Sequence, residues 1–263
     1  MGATVGSRRL RLPTAPVHGT MFVPSHLFPS LGVLVIGGSG GSEPSYVAAA
    51  LAAEGFAALS VAYFGRRGLP RSLSRIPIEY FVTATRILQG EVAPRLPMAV
   101  IGMSRGSEAA MLTALWAGGA VRGVVVSVPG NVIAGGLPSG GPAWMLDGRP
   151  LPYVEHSGPL SEDPDAYIAV EQVPGPVLLV SAGEDAVWPS AEMAGAISDR
   201  LRTHGDAYRH VLLEYPHAGH TLGYLLPRLP PGVLHSDLRD DPPTRSARAD
   251  AWPKMVDFLR GLA

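Results

Sequence analysis

The chain has 263 residues, 22 acidic and 21 basic side chains and a formal net charge of −1. That length can bury one large core, and so balanced a charge carries no footprint for nucleic acid or an anionic membrane. Cysteine is absent, which excludes disulfides, thiolate metal sites and a cysteine nucleophile.

The opening segments Arg8–Pro13 and Val17–Val23 are short and separated by Pro, consistent with an antiparallel pair at a sheet edge. Leu31–Ile36 is continuously apolar, as a strand buried on both faces should be. The glycine-rich turn Gly37–Ser42 follows, then a helix over Pro44–Glu54 that Ser42 or Glu43 could cap. Phe56–Tyr63 is expected as a strand and Pro77–Leu88 as a helix, with Gly90 past its end. Further strands are expected at Pro97–Ile101, Val121–Val128, Pro176–Ser181 and His210–Tyr215, and further helices at Ser190–Thr203 and Arg248–Leu262. Strand and helix alternate, which predicts a single α/β domain over 1–263 with a doubly wound, mostly parallel sheet. One stretch breaks the pattern. Asn131–Gly175 is rich in Gly and Pro without periodicity, and a lid-like insertion is expected there. A second loop, Leu222–Thr244, could line the same mouth. No apolar run reaches membrane-spanning length and no apolar signal segment follows Met1–Arg9, so a soluble cytoplasmic protein is expected.

The chemistry centres on Gly102-Met103-Ser104-Arg105-Gly106, set between an apolar strand and the helix former Ser107–Leu115. This strand–turn–helix context resembles the nucleophile elbow of the α/β-hydrolases, in which a strained turn exposes the serine and flanking glycines let strand and helix approach. A serine hydroxyl needs a general base, and the base needs an orienting group. The order in that fold is Ser, acid, His. The strand ending at Ser181 runs into Gly183-Glu184-Asp185, and Asp185, deeper in the turn, is the expected acid with Glu184 as fallback. Past the last strand, Tyr215-Pro216-His217-Ala218-Gly219-His220 offers two histidines. His220 is the expected base, because Gly219 frees the backbone to turn it toward the serine; His217 is the competitor. A metal pair at His217 and His220 lacks a third ligand. His18, His26, His156, His204, His210 and His235 have no positional claim. The oxyanion donors are expected to be the backbone N–H of Arg105 and of Ser39, or else Gly40. A phosphate loop at Gly37–Gly41 is the rival reading, but neither G-x-G-x-x-G nor G-K-[ST] spacing is met. Glu108, one turn into the helix, could support the histidine loop or pair with an arginine and is not assigned to the site.

Taken together, several stretches resemble the C-terminal catalytic domain of the acyl-CoA thioesterase and bile acid-CoA:amino acid N-acyltransferase family, a branch of α/β-hydrolases related to dienelactone hydrolases. They are Gly38-Ser39-Gly40-Gly41, Gly55–Gly65, Ile76–Phe81, Ile101–Glu108 (the family having lysine where Arg105 stands), Gly183-Glu184-Asp185 with Trp188-Pro189-Ser190, Tyr215–His220 and Asp250-Ala251-Trp252-Pro253. The resemblance implies Ser104 as nucleophile, Asp185 as acid and His220 as base, acting on a small-molecule acyl thioester or ester. It implies no metal or redox cofactor, coenzyme A being part of a substrate. Transferase members of the family use a cysteine nucleophile; the serine here favours hydrolysis over conjugation. An acyltransferase, or a lyase or cyclase tailoring enzyme, could use the same pocket. The oligomeric state is not legible.

Overall fold

Strands that are apolar on both faces need cover on both sides of the sheet, and the helices of this chain divide themselves accordingly. The computed structural model describes residues 7–12, 16–25, 28–92, 94–155, 163–204, 208–234 and 238–263. In chain order the elements are β1 (Ser7–Leu12), β2 (His18–Pro24), β3 (Gly32–Ile36), α1 (Ser45–Ala53), β4 (Ala57–Ala62), β5 (Ile76–Pro77), α2 (Ile78–Val92), β6 (Met98–Met103) and α3 (Arg105–Trp116). They continue with β7 (Val121–Ser127), β8 (Trp144–Leu146), β9 (Arg149–Pro150), β10 (Val177–Ala182), α4 (Ser190–Thr203), β11 (Val211–Tyr215) and α5 (Pro242–Arg260).

Eight strands form one sheet in the order β1-β2-β4-β3-β6-β7-β10-β11. Only the β1–β2 and β2–β4 pairings are antiparallel; those from β4 through to β11 are parallel. Alternate residues of the strands feed two cores. Leu34, Ile36, Leu59 and Val100 face α2, α3 and α4, where Phe81, Met111 and Ile197 meet them. Val33, Val35, Ile101 and Val180 face α1 and α5, where Leu51, Met255 and Leu259 close the other side. This doubly wound arrangement is the α/β-hydrolase fold. The register aligns Ile36 with Gly102, Met103 with Ser127, and Ala182 with Tyr215. The turns after β3, β6, β10 and β11 therefore emerge at one carboxyl edge, where open α/β sheets bind ligands.

Four local expectations are corrected. Neither Ser42 nor Glu43 caps α1, whose N-cap position is Pro44; the Glu43 carboxylate instead accepts from Ser60 Oγ at 2.9 Å. Helix α2 runs through Gly90 to Val92. Helix α5 begins six residues earlier than expected, because Asp241 caps it and Pro242 and Pro243 occupy its first turn. The described part of Asn131–Gly175 is not a structureless loop. Here β8 pairs with β5 and β9, bridges link Val132 to Tyr167 and Ala134 to Val154, and Ile133, Ala143, Trp144, Ile168 and Val170 join the core beside α2 and α3. The fully buried Trp144 packs on Tyr63 and Phe81 at ring distances of 5.9 and 6.1 Å.

Candidate active site

Ser104 follows β6 with φ 52° and ψ −125°, a left-handed conformation that is strained for a side-chain-bearing residue. Close packing holds it there. A Cβ on Gly102 would strike the Gly106 carbonyl, and a Cβ on Gly106 would strike that of Gly37. The two glycines of the elbow are thus needed for strand–helix contact. The Ser104 N–H donates to Ser127 O at 3.0 Å, fixing the turn to the neighbouring strand.

His220 opens the short 3-10 turn His220–Tyr224 beyond β11. Its Nε2 lies 3.1 Å from Ser104 Oγ, and its Nδ1 lies 2.8 Å from Asp185 Oδ2. Asp185 accepts further N–H donation from Val187 at 2.9 Å and Trp188 at 3.3 Å. Burial pushes its carboxyl up, but hydrogen bonding and charge from His220, with further donors at Ser190 and Val187, outweigh burial and hold it below the usual carboxylate range. The structure separates the two adjacent acid and histidine candidates cleanly. Glu184 and His217 meet each other at 3.1 Å with side chains 66% and 80% exposed, whereas those of Asp185 and His220 are 1% and 12% exposed. The freedom of Gly219 is not what orients His220. Its φ is −94°, an added Cβ would meet nothing nearer than 3.6 Å, and its N–H is held by Thr244 Oγ1 at 2.8 Å.

Of the remaining histidines, His210 Nδ1 accepts from the Val177 N–H, and His26, His156 and His235 lie outside the described residues. Among the described residues no three His, Asp or Glu side chains gather as metal ligands.

The turn after β3 faces the serine. Gly38 is so close that an added Cβ would stand 3.1 Å from that of Ser104. The buried Tyr63 hydroxyl donates to Gly37 O at 2.8 Å and lies 3.1 Å from Gly38 O, fixing a turn that also needs a positive φ at Gly41. Ser39 and Gly40 share a cavity of about 660 Å³ with Ser104 and His220. The Arg105 N–H lies in the first turn of α3, where a helix supplies no acceptor. The Arg105 side chain points the other way: its guanidinium donates to Ala134 O at 2.6 Å and Gly135 O at 2.8 Å and meets Glu108 at 2.7 Å. Glu108, fully buried, also accepts from Trp144 Nε1 at 2.8 Å. Of the two alternatives for Glu108, pairing with arginine is what the structure forms.

A model of the family described as "BAAT / Acyl-CoA thioester hydrolase C terminal" matches residues 153–234, which include Asp185 and His220. Similar proteins include acyl-coenzyme A thioesterase 1 of Rattus norvegicus, 29% identical over 97% of this chain and 65% of its own. Others are the peroxisomal succinyl-coenzyme A thioesterase of Mus musculus, 27% identical with the same coverages, and the mitochondrial acyl-coenzyme A thioesterase 2 of the mouse, 30% identical over 82% of this chain and 50% of its own. Among solved structures, the dienelactone hydrolase of Anabaena variabilis aligns over 98% of this chain and 99% of its own, with a TM-score of 0.61 and 18% identity. The esterase of Pyrobaculum calidifontis aligns over 98% and 85%, with a TM-score of 0.62 and 16% identity. The chain is thus similar to acyl-coenzyme A thioesterases over nearly all of its length, carries the family match over 153–234, and shares the fold of the dienelactone hydrolases. It spans 65% of the length of the first two curated relatives.

Three features of the site escaped the sequence. Tyr63 anchors the glycine turn, and Trp188 packs edge-on to His220 at 6.3 Å while its Nε1 donates to Val128 O. Arg248 of α5, fully buried, donates to Thr221 O and Leu226 O at 3.1 and 2.8 Å and so grips the histidine turn from behind. A polar side chain at a core-facing helical position, nearly two turns into the helix that Asp-Pro-Pro starts, was the available signal. The cavity wall opposite the glycine turn comes from Gly223, Tyr224 and Gly232–Leu234 of the second loop. No described residue of 131–175 lines the cavity.

Proposed function

We propose that this protein is a serine hydrolase of acyl thioesters or esters, with Ser104 as nucleophile, His220 as general base and Asp185 as the orienting acid. Ser104 Oγ attacks the acyl carbon as His220 Nε2 takes its proton, and the Arg105 and Ser39 amides receive the developing oxyanion. His220 then protonates the departing thiolate or alkoxide. In the second half His220 activates water, which releases the acid and restores the serine. Asp185 accepts from Nδ1–H throughout, fixing the tautomer and stabilising the imidazolium. The scheme needs no co-reactant beyond water.

The unbroken hydrogen-bond chain from Asp185 through His220 to Ser104, ending in the cavity beside the glycine turn, carries this reading. The thioesterase names of the relatives favour a thioester carbonyl, and the serine favours water over an amine as acceptor. We propose that residues 1–263 form one domain in which the described residues of 131–175 brace α3 and leave the cavity lining to other segments. The test is thiol release from short, long, branched and aromatic acyl-CoAs, with aryl esters alongside. Turnover of some thioesters is expected, reduced by about three to six orders of magnitude in Ser104→Ala. A loss below tenfold would sink the assignment, and turnover of aryl esters alone would move the natural substrate to an oxygen ester.

A further inference from the structure

A second cavity, of about 360 Å³, adjoins the first across a wall that both share at Gly232 and Leu234. Three arginines line it, Arg228, Arg245 and Arg248, against a single carboxylate, Asp240. Arg228 and Arg245 are exposed and Arg248 is fully buried. Two of the Arg248 nitrogens are occupied: Nε by Leu226 O and Nη1 by Thr221 O, with Asp240 Oδ1 2.7 Å from Nη1. Its Nη2 is equally buried and has no hydrogen-bond partner among the described residues. A buried guanidinium nitrogen without an acceptor is unfavourable. Beside a cavity carrying two more guanidinium groups, an entering anion would supply the acceptor. Asp240 offsets one of the three positive charges and leaves the lining with a net excess of two.

We propose that this second cavity is an anion subsite for the phosphate-bearing arm of a thiol leaving group, while the acyl chain occupies the cavity of Ser104. The inference rests on the thioester reading for its choice of ligand, because such a leaving group places phosphates at a distance from the scissile carbonyl. Guanidinium forks match phosphate oxygens in pairs, which suits arginine to this task. The phosphate occurs in two chemical settings, coenzyme A with its nucleotide and a phosphopantetheine arm without one.

The test compares one acyl group on three thiols: coenzyme A, 4′-phosphopantetheine and neutral N-acetylcysteamine. In Arg228→Ala, in Arg245→Ala and in the double variant, kcat/KM for acyl-CoA relative to the neutral thioester should fall at least tenfold. A control, Arg202→Ala, removes an exposed arginine on α4 that pairs with Asp199, and should leave the ratio alone. A parallel fall for acyl-phosphopantetheine places its phosphate in the subsite, and a fall for acyl-CoA alone places the nucleotide phosphates there. An unchanged ratio with both thioesters turned over overturns the subsite and leaves the hydrolase reading standing. Calorimetric binding of coenzyme A to Ser104→Ala protein separates the opposite case. Binding that weakens tenfold in the arginine variants sustains the subsite even if no thioester is hydrolysed, and absence of binding at millimolar coenzyme A overturns it.

Discussion

Glu184 and Asp185 are neighbours in sequence, yet one meets solvent and the other is enclosed by His220 and two backbone N–H groups. Chemistry that needs a fixed imidazole can use only the enclosed one. Asp185→Asn is expected to lower kcat by about 10⁴, the asparagine favouring the wrong tautomer, whereas Glu184→Gln should stay within about twofold, as exposed ion pairs contribute little. Steady-state kinetics on the two variants decides between the carboxylates; a larger loss in Glu184→Gln would reverse the assignment. The pKa of Asp185 gives a second readout. Its folded value is below the unfolded one, so its contribution to stability is present above the unfolded value of about 4 and is lost as pH falls through the folded value. Urea melts should therefore show the stability difference between wild type and Asp185→Asn shrinking below about pH 4. A difference that grew on acidification would contradict the hydrogen-bonded carboxylate.

At the scale of elements, α3 is held at both ends of its first turn. The elbow glycines seat it on β6 and β3, and Arg105 and Glu108 tie it to 134–135 and Trp144. Burial pushes the Glu108 carboxyl up, against the pull of Arg105 and the Trp144 and Ala134 N–H groups. Removing it by Glu108→Ala leaves the Arg105 guanidinium in the interior without its carboxylate, which should cost about 3–5 kcal/mol. Glu108→Gln keeps an acceptor for Trp144 and should cost less. Chemical denaturation measures both, and a loss below about 1 kcal/mol in Glu108→Ala would show that the brace carries little. This part of the molecule was also the least legible beforehand. The long strands β3, β4, β6, β7 and β10 announced themselves as apolar runs, and α4 by its spacing. The elements β5, β8 and β9 are two or three residues long, too short for any period to register, and the partner of β5 lies far along the chain in β8. Pairing at that separation leaves no local trace; the hairpin of β8 and β9 did leave one, Asp147-Gly148 with both φ positive, but the Gly and Pro content of the stretch suggested a loop.

For the whole molecule, sequence order sufficed to bring Ser104, Asp185 and His220 together, because a parallel sheet delivers every strand's carboxyl end to the same edge. Order along the chain does not say which long connection closes over that edge. The described residues of 131–175 turn inward to the α2–α3 core, and the second loop supplies the wall through Val233 and Leu234. Acyl-chain selection should therefore be sensitive to bulk at Val233 and indifferent to bulk at Leu137, which is 43% exposed on the other segment. In Val233→Trp, kcat/KM for long-chain acyl thioesters should fall at least tenfold relative to short-chain ones, since an indole takes up much of the room along that wall. Leu137→Trp should keep the wild-type profile. The reverse outcome, a shifted profile in Leu137→Trp with Val233→Trp unchanged, would mean that 131–175 reaches over the cavity during turnover and acts as a lid after all.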